Sequence, residues 1–283
     1  MAEGKLILVA TPIGNLGDFS SRAVETLKEA DLIAAEDTRN SIKLLNHFDI
    51  HTPMTAYHEF NRFEKAEELV SKMLEGQTVA CITDAGTPGI SDPGEELVKQ
   101  AIEAGIEVTA VPGPSACINA LVISGLPTGR FSFAGFLPRE KKAREALLSE
   151  WKERSETVLF HEAPHRLKKT LEDLLRVFGD RKIALCRELT KKHEAAERTT
   201  IGEALRKLET EAPRGEYVLV VAGKPEKERA EAEKAEWQAL SIPEHVRFYE
   251  KQGFDRKEAM KKVALDRGIP KREVYRALVD SGE

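Results

Sequence analysis

Cysteine is scarce in this chain, at 3 residues in 283. Cys81, Cys117 and Cys186 each lie among apolar neighbours, and none has another nearby in sequence. An odd, dispersed set excludes a disulfide framework and reads as buried reduced thiols. Long apolar runs are absent too. None approaches the roughly 20 residues that span a bilayer. The first run, Leu6 to Ala10, is too short for the apolar core of a secretion signal, so the expected location is cytoplasmic. The net charge of −5 excludes a protein that coats nucleic acid nonspecifically, although a local basic surface remains compatible with an RNA substrate.

Familiar nucleotide motifs are missing as well. There is no G-x-x-x-x-G-K-[ST], and no G-x-G-x-x-G follows the first apolar run. His161-Glu162-Ala163-Pro164-His165 spells the zinc-protease pattern H-E-x-x-H, which works only when both histidines share a helix face. Here it follows the strand-like Thr157 to Phe160, and Pro164 disfavours helix at Ala163, so a strand opening into a loop is expected. His47 and His51 lack a third ligand nearby, and no metal is expected.

What the chain does have is a regular alternation. Short apolar runs at Leu6–Ala10, Leu32–Ala35, Val79–Thr83 and Val108–Val111 alternate with helical patterns such as Arg22–Ala30 and Phe63–Leu74. That rhythm predicts crossover units on a mostly parallel sheet, as one α/β domain over 1–124. After the turn-rich Gly125 to Gly129, runs at Phe131–Phe136, Thr157–Phe160, Ile183–Cys186 and Tyr217–Val221 enclose helices near Arg144–Trp151 and Leu167–Phe178. Ile183–Leu189 and Arg198–Ile201 read as a ladder with no helix between them. A second α/β domain with a mixed sheet is therefore expected over 125–223. A charged linker over 224–242 and a helical tail over 243–283 follow.

Ligands of open parallel sheets bind at the carboxyl ends of the strands. The four segments found there are Thr11-Pro-Ile-Gly-Asn-Leu-Gly-Asp18, Glu36-Asp-Thr-Arg39, Asp84-Ala-Gly-Thr-Pro-Gly-Ile-Ser-Asp-Pro-Gly94 and Pro112-Gly-Pro-Ser-Ala116. One such loop would be an ordinary turn. Four on one rim point to a binding site.

These four blocks resemble the signatures of the small-subunit ribosomal RNA cytidine 2′-O-methyltransferase family, a branch of the tetrapyrrole (corrin/porphyrin) methylase superfamily. Gly135-Phe-Leu-Pro138, Phe160-His-Glu-Ala-Pro-His-Arg166, Arg187-Glu-Leu-Thr-Lys191 and Gly215-Glu-Tyr-Val218 resemble its second-domain blocks, so the resemblance covers nearly the whole chain. It implies two α/β domains with S-adenosylmethionine in the cleft between them, and a homodimer. The cofactor would meet Pro12, Gly14, Asp84, Ala85, Gly86, Ile90, Ser115, Ala116, Glu162 and Ala163. Gly86-Thr87-Pro88 stands where the superfamily commonly has Gly-Asp-Pro, which argues against a porphyrin-type substrate and leaves open whether Asp84 or Thr87 takes the ligand's polar groups.

Methyl transfer to a ribose hydroxyl needs in-line positioning; a carboxylate or neutral lysine can take the proton, although geometry alone can suffice. Asp37, Glu188 and Lys191 are the candidates on that rim, with Arg39 as a phosphate clamp. From Lys251 to Arg276, nine basic residues face four acidic ones, a local charge of +5. The order helix, Gly268-Ile-Pro270, helix resembles a helix-turn-helix. Lys257, Lys261, Lys262, Lys271, Arg272 and Arg276 are the expected RNA contacts, on small-subunit ribosomal RNA or the assembled small subunit. Two other readings compete: a methylase of a small tetrapyrrole, and a noncatalytic RNA-binding assembly factor.

Overall fold

The computed structural model describes residues 4–225 and 237–281. The alternating pattern of the first half forms five parallel strands: β1 (Lys5–Val9), β2 (Leu32–Ala35), β3 (Met54–Ala56), β4 (Val79–Ile82) and β5 (Glu107–Val111), in the order β3-β2-β4-β1-β5. Every residue of β4 is buried, as a strand covered on both faces requires. Helices α1 (Ser21–Glu29), α2 (Thr38–His47), α3 (Arg62–Leu74) and α4 (Gly94–Glu103) make the crossovers. The Ser20 side chain accepts from Ala23 N at 3.1 Å and so starts α1, which buries Ala23 and Leu27 on one face. In α3 the buried residues Ala66, Leu69 and Met73 follow the same spacing. The four anticipated strands and both helices are present to within one residue at each end. β3 has no counterpart in the sequence reading, because three residues carry no periodicity.

The second sheet is mixed, in the order β6-β7-β10-β8-β9: β6 (Phe131–Phe136), β7 (Thr157–Glu162), β8 (Lys182–Arg187), β9 (Ala195–Thr200) and β10 (Tyr217–Val221). Only β6 and β7 run parallel; β10 pairs antiparallel with both β7 and β8, and β8 with β9. The expected β8–β9 ladder is therefore present. Helices α6 (Lys141–Trp151), α7 (Pro164–Phe178) and α8 (Ile201–Lys207) follow β6, β7 and β9. Leu167, Leu171, Leu174 and Phe178 of α7 pack with Phe160, Leu185 and Leu219 of the sheet.

The opposite face of this sheet is covered by α5 (Ala116–Ser124), which follows β5 in the chain. Its Cys117, Ala120 and Leu121 pack against Leu159, Ala184, Cys186, Val218 and Val220. All three cysteines are free and buried, and burial pushes the Cys186 thiol up to about 11.

At His161–His165 the chain departs from expectation in one detail. β7 ends at Glu162, Ala163 caps the next helix, and Pro164 is the first residue of α7, so no loop intervenes. Proline suits that position because its missing N–H would have no partner there. His161 thus lies on a strand and His165 on a helix.

Packing divides the chain into two compact units that meet between Gly223 and Lys224. Of the expected linker at 224–242, residues 226–236 lie outside the described residues. In the second unit, helices Ile242–Lys251, Arg256–Arg267 and Lys271–Asp280 pack around Val246, Tyr249, Met260, Val263, Val274 and Leu278. Ser241 and Glu244 form a reciprocal capping box, and Gly268 ends the middle helix at φ 63°. Among the described residues, no helix is long and apolar enough to cross a membrane.

Leu121 is 3% exposed at the centre of the α5 contact. Leu121→Ala should lower the stability of the first unit by about 2–5 kcal/mol, the usual range for emptying such a core site. Urea denaturation of the full chain checks this, and an unchanged midpoint would remove α5 from the core.

Candidate active site

Side-chain bonds tie the four loops of the first sheet into one rim. Thr11 and Gly86 form a two-way backbone bridge, with Thr11 N donating at 2.9 Å and Gly86 N at 3.1 Å. A carboxylate oxygen of Glu36 accepts from the Thr83 hydroxyl at 2.5 Å and from Asp84 N at 3.3 Å. Asp84 in turn accepts from Asp37 N and from the Asn40 amide, both at 3.2 Å. Burial raises the Asp84 carboxyl above its ordinary value, with the Asn40 bond working against it. The Thr87 hydroxyl donates to Pro114 O at 3.1 Å and joins the third loop to the fourth. Asp92 closes the third loop by accepting from the amides of Gly89, Ile90 and Gly94.

Asp37 and Arg39 are spent on each other. The Asp37 carboxylate caps α2 through Arg39 N and also accepts from the guanidinium at 3.0 and 2.7 Å. The Arg39 side chain holds the Asp37 carboxyl down to about 2, which makes it a poor proton acceptor.

A cavity of about 250 Å³ opens where this rim meets the second sheet. Ile13, Ala85 and Ala116 line it from the loops of the first sheet, and Phe136, His161, Glu162, Ala163, Cys186, Glu188, Leu189, Lys191, Glu216, Tyr217 and Val218 line it from the side of the second sheet. Of the expected cofactor residues, Ala85, Ala116, Glu162 and Ala163 reach its wall. Pro12, Gly14, Asp84, Gly86, Ile90 and Ser115 stand in the flanking loops. Glu188 and Lys191 line it, whereas Asp37 and Arg39 do not. A neighbouring cavity of about 270 Å³ between β8, β9 and α8 holds the Lys207–Glu197 ion pair and touches none of the four loops.

The polar wall of the 250 Å³ cavity is built around Glu188. Its Oε1 accepts from Glu216 N and from Lys191 Nζ, each at 3.1 Å. The Glu216 amide, and then Lys191, hold the Glu188 carboxyl below its ordinary value against the effect of burial. Burial pulls Lys191 down, but its bonds to Glu188 and Glu216 outweigh this and raise it, so the lysine is cationic rather than a neutral base. Two residues of this loop, Glu188 (φ 50°) and Thr190 (φ 65°), hold left-handed backbone that non-glycine residues rarely adopt. Gly14 and Gly215 leave the space this loop needs. A Cβ on Gly14 would sit 2.4 Å from Lys191 Cγ, and one on Gly215 would sit 2.5 Å from Glu188 Cγ.

Glu162 has a structural task. It is 2% exposed and accepts from Ala163 N and the Thr170 hydroxyl, with Arg166 Nε at 3.4 Å. The sequence blocks contain Ile13, Phe136, His161, Leu189, Glu216, Tyr217 and Val218, but none of these was assigned to the site, and Cys186 was read only as a buried thiol. Pairing of Val218 with His161 and of Tyr217 with Glu162 and Arg187 brings those residues together. No local signal announces such a pairing. Among the described residues, no group of three His, Cys, Asp or Glu could hold a metal ion.

In the second unit, Lys257 and Lys261 share one exposed helix face, as do Arg272 and Arg276; Lys271 is exposed as well. Lys262 differs, being half-buried with its ammonium over the rings of Phe254 at 4.5 Å and Tyr249 at 5.2 Å.

Residues 5–205 match the family model of Tetrapyrrole (Corrin/Porphyrin) Methylases. A protein of Halalkalibacterium halodurans named ribosomal RNA small subunit methyltransferase I is 51% identical, over 96% of this chain and 94% of its own. The protein of that name from Bacillus subtilis is 46% identical, over 97% of this chain and 94% of its own. Two solved structures share the fold at low identity. Uroporphyrin-III-C-methyltransferase of Thermus thermophilus has a TM-score of 0.53 at 23% identity, over 78% of this chain and 94% of its own. Diphthine synthase has a TM-score of 0.58 at 14% identity, over 78% of this chain and 90% of its own. The chain belongs to the tetrapyrrole (corrin/porphyrin) methylase family, among the relatives named ribosomal RNA small subunit methyltransferase I.

Proposed function

We propose that this chain transfers a methyl group from S-adenosylmethionine to the 2′-oxygen of a cytidine ribose in small-subunit ribosomal RNA. The observation that carries this reading is the cavity in which Ala85 and Ala116 face Glu188, Lys191 and Glu216. The kinship above supplies the RNA substrate, and cytidine and the 2′-oxygen follow from the sequence resemblance. A ribosomal substrate would place the reaction in the cytoplasm.

The residues present suit the donor. Ile13, Ala85, Ala116, Ala163, Leu189 and Val218 make an apolar, small-residue wall, with a few polar groups on one side. Buried His161 Nε2, on the cavity wall, has no hydrogen-bond partner in the described residues, which leaves a polar atom for a ligand to satisfy. Burial lowers the His161 pKa, so its ring is neutral at pH 7. When bound, the donor supplies a methyl group on a sulfonium, and its sulfur leaves as a neutral thioether.

The chain's own part is to exclude water, align the ribose oxygen and take its proton. Glu188 is the acceptor that fits. It is ionised, reaches the cavity, and is held in place by Lys191 and the Glu216 amide, whereas Asp37 lies outside the cavity. The family resemblance also implies a homodimer, and the exposed apolar side of α5, at Ile118 and Val122, offers surface for a second copy.

Glu188→Gln should keep donor affinity, measured by calorimetry, and lower kcat by about 10²–10⁴-fold, the span of general-base contributions. Equal kcat in the two proteins would exclude Glu188 as the acceptor. Glu188 lies below its ordinary value of 4.5 and Lys191 above 10.5, so the pair stays ionised between them. The rate from this pair should therefore be flat across neutral pH and fall only on acidification below the ordinary carboxylate range; a pH–rate profile with a neutral inflection would contradict it.

Replacing Lys257, Lys261, Lys271, Arg272 and Arg276 with alanine should weaken binding to undermethylated small subunits and leave donor affinity unchanged. Particle binding as tight as the parent's would remove the tail from RNA docking. Labelled donor separates the whole reading from its competitors. Label in small subunits supports it, label in porphyrinoids points to a tetrapyrrole methylase, and RNA binding without transfer points to an assembly factor.

A further inference from the structure

A third cavity, of about 480 Å³, belongs to none of the features above. It is lined by Arg139, Arg144, His165, Arg166, Lys169 and Thr170, so every lining side chain except that of Thr170 is basic. We propose that this cleft binds the phosphodiester backbone of the RNA strand beside the nucleotide being methylated. The proposal rests on the RNA methylation read above and adds a contact surface on the first unit, separate from the basic tail.

Two of the arginines form the frame. Arg144 is 6% exposed, and its guanidinium donates to Asp173 at 2.8 Å and to the carbonyls of Pro138 and Arg139 at 3.1 and 2.9 Å. Arg166 donates to Leu137 O at 2.6 Å and lies 3.4 Å from Glu162. A guanidinium carries five N–H donors, so Arg166 keeps some for a ligand. Among the described residues, the only carboxylates bound to these two arginines, Glu162 and Asp173, are each 2% exposed and already engaged.

The remaining cations face solvent. Arg139 and His165 are exposed, and the Arg139 guanidinium has no hydrogen-bond or ion-pair partner among the described residues. Lys169 is exposed, with only loose contacts to Asp173 at 3.4 Å and Glu172 at 3.8 Å. The Lys169–Glu172 pair is exposed on both sides and is worth little, and Asp173 is already held by Arg144 and Arg176, so the Lys169 ammonium can turn to a stronger anion. The cleft also opens at the amino-terminal end of the 15-residue α7, where the helix dipole favours negative charge. Planar guanidinium groups meet phosphate oxygens in pairs, which suits a backbone contact better than a base edge.

Location supplies the link to catalysis. Glu162 and Ala163 line the donor cavity, and Arg166 follows within the first turn of α7. Phe136 lines the donor cavity too, and Arg139 stands three residues beyond it. A ribose whose 2′-oxygen enters the donor cavity carries phosphates on its 3′ and 5′ oxygens, and these need cations close by. The donor cavity's own cation, Lys191, is already neutralised by Glu188 and Glu216.

The test uses the full chain carrying Arg139→Ala and Lys169→Ala, two exposed positions whose loss leaves the Arg144–Asp173 frame intact. Binding to undermethylated small subunits is measured across salt concentrations, alongside calorimetry with the donor. The slope of log K against log salt should fall by roughly 1.4, at about 0.7 per single-strand phosphate. The particle KM should rise about tenfold or more at constant donor affinity. The Arg139→Lys, Lys169→Arg protein should recover most of the slope. If the parent methylates particles and the alanine protein matches its slope and KM, the cleft does not hold RNA. Equal titration of both proteins by inorganic phosphate, with no change on the particle, would likewise overturn it. A parent protein that binds donor but labels no RNA would remove the methylation reading itself, and this proposal with it.

Discussion

Cys117, Ala120 and Leu121 leave the first sheet in sequence and enter the core of the second in space. Burying a side chain such as Leu121 contributes about 1.5–3 kcal/mol, so this helix anchors its own amino-terminal loop as firmly as a strand would. That loop carries Ser115 and Ala116, and through the Thr87–Pro114 bond it also holds the loop after β4. The bridge between Thr11 and Gly86 adds the loop after β1. One apolar contact thus sets where the loops of the parallel sheet stand relative to β7, β8 and β10. If α5 slid along the second sheet, Ala85 and Ala116 would leave the wall they share with Glu188 and Lys191.

Charge within that wall follows from what each group can reach. Asp37 and Arg39 are two residues apart at the start of α2, so they find each other before any ligand does. Glu188 is treated differently. A left-handed backbone at Glu188 and again at Thr190 throws its carboxylate and the Lys191 ammonium toward the same space, at a conformational cost of order 1–3 kcal/mol for each such residue. Glycines at 14 and 215 remove the side chains that would otherwise fill it. Strain and absent side chains at one spot are hard to explain by stability alone, and a ligand site accounts for both.

The fold was more legible than the site, for physical reasons. A parallel strand buried on both faces, such as Val79–Ile82, must be continuously apolar, and its crossover helix must be amphipathic. Both patterns are local, so residue spacing reveals them. Loops at the strand ends were legible too, since Gly, Pro, Ser and Asp gather there. The far wall was legible only in part, at Glu162, Ala163, Glu188 and Lys191. Val218 meets His161 only because β10 inserts between β7 and β8, and such antiparallel register depends on contacts distant in sequence. Lys262 shows the opposite failure. Composition counts it among the tail's free cations, yet its ammonium lies over the rings of Tyr249 and Phe254, which occupy part of its charge.

A chain with a net charge of −5 offers a polyanion no overall attraction. At physiological salt a charge acts over about 8 Å, so RNA is held off wherever acidic groups prevail and admitted where cations cluster. Lys257, Lys261, Lys271, Arg272 and Arg276 make one such cluster. Arg139, Arg166 and Lys169 make another, lining the 480 Å³ cleft. Sequence composition revealed the first because its residues are contiguous, and concealed the second because β6, α6 and α7 bring it together. Acidic character elsewhere then works in favour of specificity. It leaves nonspecific RNA few places to dwell, so productive contact requires a substrate shaped to reach the cationic surfaces that remain.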